Sequence, residues 1–221
     1  MLKVENVEIF NLDGAIRGLR NPMNSWDKSD SELHYNCYTG TISFKIGKND
    51  LELMQKLYIA GHPHRKYLRQ IFVCMDIIAP IYWWKEFDTY KVGVTANSCS
   101  TMHTIHKKKF ELDDFSHEHL NNESVNRLKF LLELLNIYRE SYIVSQDKQD
   151  WWQMIQLLPS SYNQKRTVTM NYENVMNILD YRQNHKLDEW NDFCDILKED
   201  LPYVKEIIEY DKTNGCSKGN G

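Results

Sequence analysis

Residues 79–103 read APIYWWKEFDTYKVGVTANSCSTMH. They follow RQIFVCMDII at 69–78, an apolar run that reads as a buried strand. Pro80 then stands where proline opens a helix, because the first turn leaves its missing N–H without consequence. That helix, expected through about Tyr90, is crowded with Tyr82, Trp83, Trp84 and Phe87. A loop of small polar residues follows over 91–105, carrying Asn97, Ser98, Cys99 and Ser100. No G-x-G-x-x-G, Walker or G-x-S-x-G pattern follows any strand, so the usual dinucleotide, P-loop and nucleophile-elbow signals are missing.

Upstream, residues 2–11 are rich in β-branched and aromatic side chains and predict a strand. Residues 13–20 predict a short helix ended before Pro22. From 24 to 48 the chain reads as polar loop, apart from a strand at 41–46. Asp50 is placed to cap a helix to Ala60, with Gly61 at its C′ position. Downstream, Val125, Leu128, Leu131, Leu132, Leu135 and Tyr138 form one stripe of a helix over 124–145. A helix over 149–158 stops at Pro159, and 166–170 predict a short strand. Asn171 can cap a helix to about Gln183, another runs from about 187 to 199, and Pro202 starts a last short one. No repeat or linker breaks the pattern. It predicts one α/β (α+β) domain over 1–208, with a mixed sheet and long helices, and a frayed tail over 209–221.

Composition agrees with a folded chain. Of 221 residues, 42% are hydrophobic, too many for disorder. The net charge is -4 (27 basic, 31 acidic), which argues against a bulk nucleic-acid binder. Cysteines at 37, 74, 99, 194 and 216 are odd in number and have no C-x-x-C spacing, so no disulfide framework or zinc ribbon is expected. The apolar run Ile77–Trp84 is short of the ~20 residues a membrane span needs. A soluble, cytoplasmic protein is the expectation. His62 and His64, His103 and His106, and His117 and His119 lack a second cluster at ligand spacing, so no metal site is expected.

The strand ending A-P-I, the aromatic helix and the N-S-C-S loop resemble the signature region of flavin-dependent thymidylate synthases, which carry R-H-R-x-x-S-x-N-E-x-S-x-R there. Further pieces keep order and spacing. AIRGLR at 15–20 is similar to the family's A-x-R-x-x-R. AGH at 60–62 resembles its helix ending in G-H. LPSSYNQKRTVTMNYENVMNILDYR at 158–182 resembles its L-P, T-x-N and L-x-x-R succession. The resemblance covers roughly residues 1–205. It implies an α/β homotetramer with flavins at subunit interfaces. It also implies a reaction that moves a methylene from methylenetetrahydrofolate to dUMP, with hydride from NADPH passing through FAD.

Carried over by position, the R-H-R triplet falls on Thr89, Tyr90 and Lys91. Lys91 keeps a cation, and Tyr90 keeps an aromatic body with a polar tip. Asn97, Ser98 and Ser100 match the later part after a one-residue insertion, with the acid replaced by Ser98. The next arginine falls at Met102, beside His103, and the arginine that starts the late helix falls at Glu173. The resemblance thus implies cofactor contacts at Tyr90, Lys91, Asn97, Asn171 and Arg182. It implies substrate contacts at Glu86, Ser98, Cys99, His103, Lys165 and Arg166, and a catalytic role for Ser100. Loss of three phosphate-binding arginines should weaken phosphate binding on the order of 10³-fold unless other cations replace them. Lys91, His103, Lys165 and Arg166 are the replacements at hand.

Plainer roles compete with these. Trp83, Trp84, Trp151 and Trp152 read first as core or interface aromatics. Cys99 reads first as a small buried hydrophobe, and otherwise as a reactive thiol. Ser100 lacks a preceding base, Arg182 suits a salt bridge within its helix, and Asn171 is a helix cap before it is a site residue. Two functions stay open: a divergent enzyme methylating a pyrimidine nucleotide at C5, and a non-catalytic nucleotide- or flavin-binding protein of the same fold.

Overall fold

The computed structural model describes residues 2–38 and 40–214. The strands are β1 (Lys3–Phe10), β2 (Glu32–Asn36), β3 (Thr41–Lys45), β4 (Phe72–Pro80), β5 (Thr95–Ser98) and β6 (Asn163–Asn171). The helices are α1 (Leu12–Arg20), α2 (Lys48–Ile59), α3 (Ile81–Phe87), α4 (Thr101–Thr104), α5 (Asn122–Ser145), α6 (Lys148–Leu157), α7 (Tyr172–Arg182), α8 (Asp188–Asp200) and α9 (Val204–Asn214). One sheet has the strand order β1-β4-β6-β5, and β2 and β3 form a separate antiparallel pair with Glu32 opposite Lys45. This is the expected α/β architecture with long helices. The chain divides into two compact units. The first is Met1–Asn6, Met75–Val168 and Leu187–Glu189; the second is Val7–Cys74, Thr169–Lys186 and Trp190–Gly221. β1, β4 and β6 each pass from one unit into the other, so neither unit is a continuous stretch of sequence.

In the first unit, α5 is set at its start by Asn121, whose side chain accepts from Ser124 N at 2.9 Å. Leu128, Leu132 and Leu135 recur at helical spacing and are buried with Ile105, Phe110, Phe115 and Met154. Each such leucine contributes about 1.5–3 kcal/mol of burial. Asn136 ties the helix to the chain before it, exchanging hydrogen bonds with both the N–H and the carbonyl of Phe110 at 2.9 Å. Trp83 and Trp84 of α3 are fully buried, as their size suggests. Trp152 is exposed.

In the second unit, α2 packs on α9, and α1 and α7 pack on the 3-10 turn Lys66–Gln70. Asn171 and Asn174 form a reciprocal capping box at the start of α7, as the sequence suggested for Asn171. Gly61 has φ 94°, a conformation that favours glycine after a helix. Asp50 is not the cap of α2: Gly47 holds that position, and Asp50 is buried in the first turn. Its carboxylate accepts from Arg20 Nε at 2.5 Å, Ser31 Oγ at 2.6 Å and Ser29 Oγ at 2.7 Å. Two backbone N–H groups, of Asp30 and Ser31, add bonds at 3.1 Å. Burial works to raise this acid's pKa, but the Ser31, Ser29 and Arg20 hydrogen bonds and the guanidinium charge outweigh it and hold it low.

Several local expectations are corrected. The stretch 24–48 contains β2 as well as β3; ELHYN is exposed along its whole length and so lacks an apolar alternation to read. β5 likewise hides in the expected loop because TANS is small, polar and exposed. Pro80 is the N-cap of α3 rather than its first helical residue. Helix α9 continues through Asn214, into the stretch expected to fray; the rest of that stretch, 215–221, lies outside the described residues. Among the described residues, no helix is long and apolar enough to cross a membrane.

Candidate functional site

Helix α3 anchors the first group of expected site residues. Trp83 stacks on Phe87 with ring centres 5.1 Å apart, and Trp84 donates from Nε1 to the Gln164 carbonyl at 2.9 Å. These contacts fix the helix against β6. The helix ends where Thr89 Oγ1 donates to the Glu86 carbonyl at 2.7 Å. Beyond that end, Tyr90 and Lys91 line a cavity of about 290 Å³ with Phe87, Asp88, Val94, Ala96 and Arg166. Lys91 is exposed and makes no ion pair among the described residues. Arg166 lies over Trp84, 4.3 Å from the ring centre, and its Nη1 donates to Asp88 Oδ1 at 2.8 Å. The structure thus brings Tyr90, Lys91 and Arg166 to one cavity, with Arg166 already paired.

Asn97, Ser98 and Cys99 are exposed at β5 and just beyond it. Cys99 is therefore not the buried hydrophobe expected of a small apolar residue. Its backbone N–H donates to the Lys165 carbonyl at 2.9 Å, extending the pairing of β5 with β6 and turning the side chain outward. Ser100 caps α4 by accepting from His103 N at 3.0 Å. This hydrogen bond gives the hydroxyl a structural role at the start of the helix.

Lys165 is held by Asp76 at 2.9 Å and Glu5 at 3.4 Å. Asp76 also accepts from Thr167 Oγ1 at 2.6 Å and Asn6 Nδ2 at 2.9 Å. The hydrogen bonds from Thr167, Asn6 and Lys165 bring its pKa down to about 2, and the paired ammonium of Lys165 is raised in turn, by Asp76 first.

The second unit holds Asn171 and Arg182. Asn171 is committed to the α7 cap. Arg182 lies over Trp190, 4.6 Å from the ring centre, with Nη1 3.3 Å from His185 Nε2. The position read as a loss of positive charge, Glu173, is 9% exposed and does not present a bare carboxylate. Arg69 Nε is 3.0 Å from its Oε2, and His62 Nδ1 is 2.9 Å from its Oε1, which is buried and accepts no aligned hydrogen bond. Arg69 went unnoticed in the sequence because it stands in HRKYLRQ, where several basic residues compete and nothing in the spacing points to position 173.

A second cavity in the first unit, of about 400 Å³, was also missed. His103 and Met102 of α4 line it with His106, Tyr142, Gln146, Lys148 and Trp151. The last four come from the end of α5 and the start of α6, about forty residues along the chain, which no local pattern could connect to His103. Trp151 closes the gap by donating from Nε1 to the Met102 carbonyl at 3.0 Å. Among the described residues, no group of three or more His, Cys, Asp or Glu side chains is placed to hold a metal ion.

No family model and no curated protein matches the chain. Solved structures do. Thymidylate synthase X from Helicobacter pylori, crystallised with FAD and dUMP, superposes with a TM-score of 0.70 at 18% identity, covering 95% of this chain and 98% of that one. A second structure of that enzyme with FAD and dUMP gives a TM-score of 0.65 at 19% identity over the same shares of the two chains. Over nearly its whole length, the chain has the fold of these flavin-dependent thymidylate synthase structures, at 18–19% identity.

Proposed function

We propose that this chain is a divergent flavin-dependent thymidylate synthase-like enzyme that methylates dUMP or a related pyrimidine nucleotide at C5. Methylenetetrahydrofolate would be the one-carbon donor and NADPH the reductant. The observation that carries the reading is the cavity beyond α3, where Arg166 meets Tyr90 and Lys91, two of the three positions onto which the resemblance carries the family's R-H-R triplet. The residues there fit part of an FAD. Lys91 offers an unpaired ammonium for a pyrophosphate, Tyr90 offers an aromatic face with a hydroxyl, and Arg166 is oriented by Asp88. When bound, the flavin supplies hydride chemistry that no side chain provides. The protein's share is to hold and orient the ring and to keep water from it.

Self-association belongs to the same reading, since the resemblance implies a homotetramer. Phe130, Ile137 and Val144 are 65%, 61% and 88% exposed along one side of α5, with Leu134 between them at 38%. An apolar row of this kind on a surface helix supports burial against another copy.

A second reading, a non-catalytic flavin- or nucleotide-binding protein, is favoured by three contacts: Ser100 serves as a helix cap, Lys165 is tied to Asp76, and Arg166 to Asp88. Visible absorbance of protein reconstituted with FAD tests both readings together. A retained flavin band with tritium release from C5-labelled dUMP supports the enzyme. A retained band without tritium release supports the binding protein, and no band defeats the enzyme and leaves only a nucleotide-binding protein.

A further inference from the structure

The cavity of about 400 Å³ where α4 meets the junction of α5 and α6 shares no residue with the cavity beside α3, and the proposed reaction has no use for it. One part of its wall is cationic. Lys148 is exposed, makes no ion pair among the described residues and lies 5.9 Å from the centre of the Trp152 ring. No carboxylate lines the cavity. The neighbouring Asp147 is turned to the start of α6, where it accepts from Gln149 N at 2.9 Å. His103, also exposed, lines the same cavity.

Another part is flat and apolar. Trp151 is pinned by its Nε1 bond to the Met102 carbonyl at 3.0 Å and by an edge contact with Trp152, ring centres 4.7 Å apart. Tyr142 stands edge-on to His106 at 5.0 Å. Rings held in this way keep a fixed surface for a planar guest. The rest is neutral and polar. Gln146 commits its Nε2 to the Tyr142 and Ile143 carbonyls at 3.1 and 3.3 Å, which leaves its Oε1 as an acceptor. His106 Nδ1 is buried without a hydrogen-bond partner. A buried N–H with no acceptor costs more than a bare ring nitrogen, which places the ring proton on Nε2 as a donor. The volume lies within the range of small-molecule sites.

We infer that this cavity is a second ligand site, separate from the flavin's, that binds a heteroaromatic monocarboxylate. The carboxylate meets Lys148, His103 and His106 Nε2, the ring lies against Trp151 and Tyr142, and a ring N–H is donated to Gln146 Oε1. A single ammonium with no arginine fork suits one negative charge better than a phosphate dianion. The guest touches none of the residues assigned to the flavin, so the two sites fill independently. The inference therefore stands apart from the proposed function.

Calorimetric titration with indole-3-carboxylate, its neutral amide, acetate and inorganic phosphate tests it, on wild-type protein and on Lys148→Ala, Lys148→Arg and Lys91→Ala. Circular dichroism checks that each variant folds, and visible absorbance of the same samples with FAD reports the flavin site separately. Wild-type protein should bind the acid about 10-fold or more tightly than the amide, and more tightly than acetate or phosphate. Lys148→Ala should bring the acid down to the affinity of the amide, and Lys148→Arg should restore most of the difference. Lys91→Ala, or saturation with FAD, should leave binding of the acid unchanged. Equal affinity for acid and amide, phosphate bound as tightly as the acid, or unchanged binding of the acid in Lys148→Ala overturns the inference. So does folded wild-type protein that does not bind the acid. None of these outcomes moves the flavin band, so the proposed function fails only on its own test.

Discussion

Replacing Glu173 by Gln separates two accounts of the lost arginine at this position. If the carboxylate stood bare beside a phosphate ~4 Å away, an effective dielectric near 20 would give about 4 kcal/mol of repulsion. Its removal would then raise dUMP affinity about 10³-fold. In the structure the carboxylate is closed by Arg69 at 3.0 Å, with the His62 ring 2.9 Å away, so its field is already met by the guanidinium charge. Glu173→Gln should therefore change dUMP affinity by less than about 10-fold. What it should change is stability. The Glu173 side chain is 12% exposed, but Arg69 is 49% and His62 65% exposed, so the cluster lies between the ~0–1 kcal/mol of surface pairs and the ~3–5 kcal/mol of broken buried ones. A loss of about 1–2 kcal/mol is expected, or roughly 2–8 °C in Tm for a chain of this length. Urea unfolding at low and high salt measures it, with the slope unchanged. A thousandfold gain in dUMP affinity, or an unfolding midpoint that does not move, refutes the pairing argument.

Other consequences follow from the same contacts. Lys91→Ala should weaken flavin binding by about 1–3 kcal/mol, read from flavin retained after dialysis; equal retention would make Lys91 a plain surface cation. Asp50→Ala strands the buried guanidinium of Arg20 and should cost about 3–5 kcal/mol in urea unfolding. Because the folded pKa of Asp50 is depressed, its contribution is present above the unfolded value of 3.8 and is lost as pH falls through the folded one. Acid unfolding followed by circular dichroism should show the wild type losing this margin below about pH 4, and Asp50→Asn should lack that component. Ile137→Asp should lower the mass seen by light scattering while leaving the helical signal intact, since its side chain is exposed on α5.

The elements that could be read in advance are those whose residues record their own environment. The α5 stripe of Leu128, Leu132 and Leu135 shows its period, and Asn171 and Gly61 carry the chemistry of helix ends. β2 and β5 could not be read, because exposed residues on both faces leave no alternation and the pairing lives in the backbone. Asp50 was misread for a related reason. An aspartate before an apolar run suits a cap, and only the approach of Arg20, thirty positions earlier, makes it a buried counter-ion. The site divides the same way. Tyr90 and Lys91 share a cavity with each other because they are adjacent in sequence, whereas Lys148 and His103 share one through a helix crossing that no spacing encodes.

The ion pairs also bear on how such a site could diverge. An arginine that binds a ligand phosphate must be exposed to it and otherwise unneutralised, so its loss removes both a bond and a charge. Here the acid at position 173 is matched by Arg69, and the cation at position 166 by Asp88. Each pair is closed within its own unit. A ligand that recruited Lys165 would have to draw it from Asp76, whose carboxylate is held ionised by Thr167 and Asn6 as well. Breaking that contact would leave the carboxylate facing the incoming anion, so repulsion would oppose the gain from the lysine. Lys91 and Lys148 face no such opposition, and each borders its own cavity. An anion reaching either lysine would therefore displace no carboxylate, whereas one reaching Lys165 or Arg166 would have to compete with Asp76 or Asp88.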